Sequence, residues 1–290
     1  MPGKLTELNV YPLKSGGGTP LRTAELLPTG LRYDREFMLV GPEGRFLTQR
    51  DHAEMALLRP VYDGDVLTVD VPGREPLTHK PVDDGPVRDV VVHRSECQGV
   101  DQGDEAAGWF ADFLGAECRL VRFTGRRPTS RGGGEVTFAD GYPLLVISAE
   151  SLADLNERLA GGPDAPLRTV PAESPAAPNG AARGLEGPLP MNRFRPSLVV
   201  EGLGAYGEDR VRLLRIGDTV IEMVKACARC VITTTDQDTG ERGREPLRTL
   251  ASYRAIDRGL RFGQNAVPRT TGTLTVGDPV EIIEAAATIG

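Results

Sequence analysis

Apolar and β-branched residues in this chain come in short runs that glycine or proline repeatedly interrupts, a pattern that leaves little room for long helices. The 290 residues include 35 glycines and 23 prolines. Runs predicted as strands are Leu5 to Leu13, Arg35 to Val40, Val66 to Val71, Val87 to Val92, Arg119 to Phe123, Leu144 to Ile147, Ser197 to Val200, Val211 to Ile216, Thr219 to Val224 and Thr273 to Val276. The fold class that follows is mainly β with a few helices. Asp104 to Leu114 is one helix, with Trp109, Phe110 and Phe113 on one stripe and Gly115 as its stop. Trp109 is accordingly assigned to the core rather than to a stacking platform. Ser148 is placed to cap a second helix with Leu152, Leu155 and Leu159 inward before Gly161. A weaker third helix runs from Pro246 to Arg254, with Pro246 in the first turn.

A chain of this length buries a substantial core and divides into domains of ordinary size. Its four cysteines, Cys97, Cys118, Cys227 and Cys230, have no regular spacing, and nothing at the N-terminus reads as a secretion signal. No apolar stretch approaches a membrane span. The expectation is a cytoplasmic protein in a reducing compartment, without membrane attachment. A net charge of -7 argues against a nucleic-acid polymer as partner, because such surfaces are basic; any positive site must be local.

Chemistry concentrates in Val224-Lys225-Ala226-Cys227-Ala228-Arg229-Cys230-Val231-Ile232-Thr233-Thr234-Thr235, where a β-rich run breaks into a turn. Arg229 and Lys225 bring positive charge near the thiols, which favours the thiolate that binds soft metals. The Cys-x-x-Cys spacing alone supports several readings. Structural zinc wants four ligands, and the other cysteines and His52, His79 and His93 are scattered. A thioredoxin-like dithiol normally opens a helix, whereas the threonines after Cys230 favour extended chain. Two small buried core residues are the remaining alternative.

The surrounding text narrows the choice. Phe194-Arg195-Pro196-Ser197, Leu214-Arg215-Ile216-Gly217-Asp218, the cysteine turn, Thr234-Thr235-Asp236-Gln237-Asp238-Thr239-Gly240, Phe262-Gly263-Gln264-Asn265 and Val276-Gly277-Asp278-Pro279 form an ordered series that resembles a MOSC domain. Tyr11-Pro12-Leu13-Lys14-Ser15, Gly30 to Val40 and Phe46-Leu47-Thr48-Gln49-Arg50 resemble the β-barrel domain that precedes it in one branch of that family. That branch includes the mitochondrial amidoxime-reducing component and bacterial reductases of N-hydroxylated bases. The resemblance implies an N-terminal β-barrel domain at 1–123, a MOSC β-barrel domain at 124–290, and a molybdenum–molybdopterin cofactor in the cleft between them.

By the same resemblance Cys230, not Cys227, is the protein's ligand to molybdenum and the catalytic residue. Lys14, Ser15, Arg35, Gly141, Tyr142, Arg195, Ala228, Arg229 and Asn265 fall at the positions that bind the cofactor. Gly141 and Tyr142, where relatives often carry hydroxyls, are expected to act mainly through backbone. The residue types suit the ligand, since a pterin phosphate calls for fixed cationic forks, hydroxyls and free backbone N–H groups. Only four of the 34 basic residues are lysines, so Lys14 departs from the chain's preference for arginine. The implied activity is reduction of N-hydroxylated compounds, namely hydroxylamines, amidoximes and N-hydroxylated nucleobases, with the N–O oxygen leaving as water. The chain carries no iron–sulfur cysteine run, so electrons are expected from a separate ferredoxin or flavoprotein reductase. The mitochondrial relatives carry an N-terminal anchor that this sequence is expected to lack. A family-level association with pyridoxal phosphate is also implied. Two competing functions are a non-catalytic carrier or sulfur-handling protein of the same cofactor, and a dithiol oxidoreductase using Cys227 and Cys230 directly.

Three segments read as irregular. Gly16-Gly17-Gly18 lets backbone approach a ligand or simply forms a hairpin turn. Arg126 to Gly134 reads as a basic, solvated loop. The segment from 162 to 190, rich in Pro, Ala and Gly, reads as a loosely attached insertion.

Overall fold

The computed structural model describes residues 3–161, 188–256 and 259–286. Seven strands close into a barrel in the order Leu144–Ser148, Leu198–Glu201, Gly3–Val10, Pro279–Ala285, Val211–Ile216, Thr219–Arg229 and Gly259–Pro268, the last returning to pair with the first. Strands Phe37–Val40, Arg119–Thr124, Ser95–Asp101 and Val87–Val92 form a four-stranded sheet within a half-barrel. The architecture is mainly β, as the punctuation requires. A cut between 123 and 124 follows the chain but not the sheets, because Gly3–Val10 lies inside the closed barrel between Leu198–Glu201 and Pro279–Ala285.

Local chemistry accounts for the strand patterns. In Gly3–Val10 buried and open residues alternate until a bulge between Leu5 and Glu7 resets the phase, after which Leu8 and Val10 return inward. Phe37–Val40 is buried at every position because it feeds two cores. Phe37 and Leu39 pack with Leu13, Leu58 and Phe110, while Met38 and Val40 pack with Val90, Val92 and Phe138. The barrel interior is filled by Leu5, Leu8, Leu198, Leu214, Ile216 and Ile221.

Helix α1, Asp104–Leu114, buries Ala106, Ala107, Phe110 and Leu114 and stops at Gly115 in the left-handed region. Trp109 is only half-buried at the margin of that core, its Nε1 donating to the Glu75 carbonyl at 3.1 Å. Helix α2, Ala149–Leu159, turns Leu155 inward, but Ser148 makes no side-chain cap. Its hydroxyl is engaged instead by Glu150 and the Gly204 carbonyl. Helix α3, Leu247–Tyr253, follows Pro246.

Several expectations need correction. Thr219–Arg229 continues five residues past Val224, carrying Cys227 into the sheet, where Arg229 pairs with Leu260. Of the threonines after Cys230 only Thr235 is extended: Val231–Thr234 is a 3-10 turn, in which the Thr233 and Thr234 hydroxyls donate to the carbonyls of Cys230 and Val231. Gly17 and Gly18 make room for protein rather than ligand, since a Cβ there would meet the Leu58 carbonyl at 2.8 Å and the Tyr11 ring at 2.6 Å. Most of the 162–190 segment lies outside the described residues. At its end Leu189 is buried, with its backbone bonded both ways by the Asn156 amide. Among the described residues no helix is long and apolar enough to cross a membrane.

Candidate functional site

A cavity of about 830 Å³ opens where the barrel meets the half-barrel. Lys14, Ser15, Arg35, Gly141, Tyr142, Arg195, Ala228, Arg229, Cys230 and Asn265 all line it. They arrive from segments scattered over some 250 residues, so their convergence is a product of the fold. Of the six described non-glycine residues with positive φ, four are also here: Ser15 (65°), Arg35 (48°), His93 (56°) and Arg195 (57°). Such conformations are costly and persist where surrounding structure imposes them, often at functional sites.

Tyr11 organises one wall. Its buried ring lies between two guanidinium groups, Arg35 at 4.2 Å and Arg195 at 4.4 Å from the centroid. Its hydroxyl donates to the Pro196 carbonyl at 3.1 Å, and burial pushes that phenol up to about 12. Asp34 accepts from the Tyr11 backbone at 2.9 Å and pairs with Arg35. Arg195 has no such carboxylate among the described residues. Its nearest polar partner is Gln237 Oε1 at 3.4 Å, and burial lowers its guanidinium to about 10.

Lys14 is 5 % exposed, donates to the Phe138 carbonyl at 2.9 Å, and pairs with Asp140. Burial pulls its ammonium below the usual lysine range, against the attraction of Asp140. Burial alone would raise the Asp140 carboxyl, but Lys14, and His93 Nε2 at 3.1 Å, outweigh it and hold the group well below the usual carboxylate range. The Asp140 side chain is 58 % exposed, and it lines the cavity. Beside it a Cβ added at Gly141 would meet nothing within 4 Å, and Tyr142 hydroxyl bonds Ser130 Oγ at 2.9 Å.

On the opposite wall the two cysteines have different partners. Arg229 donates from Nη1 to Cys227 Sγ at 2.9 Å and from Nη2 to the Phe194 carbonyl at 2.6 Å, leaving Nε buried without a partner. The cation on Cys230 is therefore not its neighbour Arg229 but Arg50, whose Nη2 lies 3.5 Å from Sγ. Cys230 opens the 3-10 turn, which lifts its sulfur out of the sheet line that carries Cys227. Asn265 reaches the cavity because Gly263, at φ 82°, lets Gly259–Pro268 cross close to Leu144–Ser148. A Cβ there would sit 2.6 Å from Ile147. The Asn265 side chain makes no hydrogen bond to a described residue, so its amide is free for a ligand.

The sequence reading missed Arg50, Asp140, His93, Arg127 and the Gln49–Gln237 pair. Arg127 is not a solvated loop residue: it is 5 % exposed and donates to the carbonyls of Thr137, Ala139 and Asp140, shaping the loop beneath Lys14. Gln49 and Gln237 bond each other reciprocally at 3.2 and 3.1 Å, and Gln49 also donates to the Ser15 carbonyl at 2.8 Å. The available signal was the Phe46 to Arg50 motif itself, recognised but without roles for its members.

A cation-rich cavity with one sulfur presented from a turn thus lies between the closed barrel and the half-barrel. Residues 2–117 match the MOSC N-terminal beta barrel domain and residues 133–281 match the MOSC domain. The chain is 35 % identical to mitochondrial amidoxime-reducing component 1 of Mus musculus, with 97 % of this chain and 82 % of the mouse protein aligned. Identity to the Homo sapiens protein of the same name is 34 %, over 97 % and 83 % respectively. A molybdenum cofactor sulfurase of Oryza sativa subsp. japonica is 32 % identical over 89 % of this chain but 32 % of its own length. The chain belongs to the MOSC family, in the form that joins a MOSC domain to the MOSC N-terminal beta barrel domain.

Proposed function

We propose that this protein is a molybdenum-cofactor-dependent oxidoreductase that reduces N-hydroxylated compounds, with electrons from a separate redox protein such as a ferredoxin or flavoprotein reductase. The observation that carries the reading is the convergence of the ten motif residues on one cavity with the Cys230 sulfur in its wall. The residues fit an anionic pterin. Arg195 lacks a carboxylate, Arg229 keeps an unpartnered buried N–H, Asn265 has a free amide and Gly141 faces open space. Among the described residues no three His, Cys, Asp or Glu cluster as metal ligands, so a metal at Cys230 takes its other ligands from a non-protein group.

When bound, the molybdenum cofactor supplies the electron transfer that breaks the N–O bond. The chain's own residues hold and orient it. Arg35 and Arg195, fixed on Tyr11, bind anionic groups; Lys14 and Ser15 bracket the same wall; Arg50 places a positive charge beside the Cys230 sulfur. Reduction of a hydroxylamine or amidoxime consumes two electrons and two protons; the nitrogen ends bearing hydrogen and the oxygen leaves as water.

The test is amidoxime reduction by molybdenum-loaded protein with a reduced dye as donor. Cys230→Ser loses activity, and Cys227→Ser, whose sulfur is occupied by Arg229, retains most of it. Equal and total loss in both variants with molybdenum content unchanged overturns the proposal in favour of dithiol chemistry. The match to a cofactor sulfurase favours one second reading, a carrier or sulfur-handling role, under which loaded wild-type protein reduces no amidoxime.

A further inference from the structure

The cavity holds more positive charge than one cofactor phosphate neutralises. Eight lysines and arginines line it against a single carboxylate, Asp140. Two of the eight have their own anions, Lys14 with Asp140 and Arg35 with Asp34. The other six, Arg50, Arg94, Arg127, Arg195, Lys225 and Arg229, have no carboxylate within ion-pair distance among the described residues. A phosphate monoester carries about two negative charges near neutral pH, which leaves about four of these cations uncompensated. In a chain of net charge -7, that excess is a local property of the cavity. A cleft lined by one sign of charge with low-dielectric walls focuses its field and concentrates ligands of opposite sign.

The six differ in what they can still bind. Arg127 spends its donors on three backbone carbonyls, Arg229 on Cys227 and Phe194, Arg50 on Cys230, and Arg195 lies on Tyr11. The side chains of Arg94 and Lys225 are exposed and have no hydrogen-bond or ion-pair partner among the described residues. They stand on different walls, Arg94 in the turn between Val87–Val92 and Ser95–Asp101, and Lys225 in the barrel strand Thr219–Arg229, opposite Asn265. We infer that this cavity selects N-hydroxylated substrates that carry an anionic group, with Arg94 and Lys225 as the cations that receive it. The inference rests on the reductase reading for its substrate class but not for its binding test.

That test compares benzamidoxime, which is neutral, with 4-carboxybenzamidoxime, which adds one carboxylate to the same skeleton. Dissociation constants are measured by calorimetry on molybdenum-loaded protein without any electron donor, and turnover is recorded on the same samples. At low ionic strength the anion binds about ten-fold more tightly, and the preference shrinks several-fold at molar salt. Arg94→Gln lowers the preference about three-fold, and Arg94→Gln/Lys225→Gln brings the two dissociation constants close together, with bound molybdenum unchanged. Equal binding of the two compounds by wild-type protein, or a preference that survives the double variant, overturns the inference; equal binding is also the result if the rim cations serve an acidic redox protein instead. Preferential binding of the anion with no turnover of either compound leaves the anion site standing and removes the reductase reading.

Discussion

Replacing Gln237 by leucine tests whether the buried amide pair ties the two walls of the cavity together. Gln49 is 0 % exposed, and among the described residues its Oε1 receives a hydrogen bond only from Gln237 Nε2, at 3.1 Å. In Gln237→Leu that oxygen becomes a buried acceptor with no donor, which costs about 1–3 kcal/mol. For a chain of this size the loss corresponds to a fall in Tm of about 2–5 °C. Gln49→Leu alone removes one of two donors to Gln237 Oε1, leaving the longer contact from Arg195 at 3.4 Å, and removes the donor to the Ser15 carbonyl. The double variant replaces both amides with apolar groups, so neither is left facing an unsatisfied partner. Its destabilisation is expected to fall short of the sum of the single losses by about 1–2 kcal/mol. Urea unfolding of the four proteins, followed by circular dichroism, measures the cycle. Single losses that simply add, to within about 0.5 kcal/mol, refute the claim that the two amides act as one unit.

Glu208 makes a pH-dependent prediction. It is fully buried, bonded to Ser151, and burial pushes its carboxyl up to about 7. Between about pH 4.5 and 7 the folded state binds more protons here than the unfolded chain, so this group makes stability fall as pH rises through that window, by up to about 3 kcal/mol. Glu208→Gln flattens that slope, measurable as Tm against pH; an unchanged slope counts against it. Lys14→Ala and Arg195→Ala each remove a charge-assisted partner worth about 1.5–3 kcal/mol, so bound pterin weakens about ten-fold or more. Undiminished pterin in both purified variants shows that neither residue holds the cofactor.

How much of this was legible in the sequence varied with the kind of signal. Val211–Ile216 and α1 were readable to the residue because apolar pattern and stop signals coincide there. Gly259–Pro268 was not, since its Gly, Gln and Asn resemble a loop; it is a strand because Thr219–Arg229 and Leu144–Ser148 pair with both its edges. Pairing across the chain supplies what local propensity lacks. The ten candidate site residues were located by motif, and the cavity brings them together. Their partners were hidden, because nothing adjacent in sequence links Arg50 to Cys230, 180 residues away, or Lys14 to Asp140. The basic run at Arg126 to Gly134 misled for a related reason: only the folded loop shows that Arg127 turns inward to three carbonyls.

The central claim, that Cys230 is the protein's ligand to molybdenum, is tested most directly by X-ray absorption at the molybdenum edge of the loaded protein. Two dithiolene sulfurs and one thiolate give three sulfur scatterers in wild-type protein and in Cys227→Ser, and two in Cys230→Ser. An unchanged sulfur count in Cys230→Ser, or a loss of one sulfur in Cys227→Ser instead, contradicts the account.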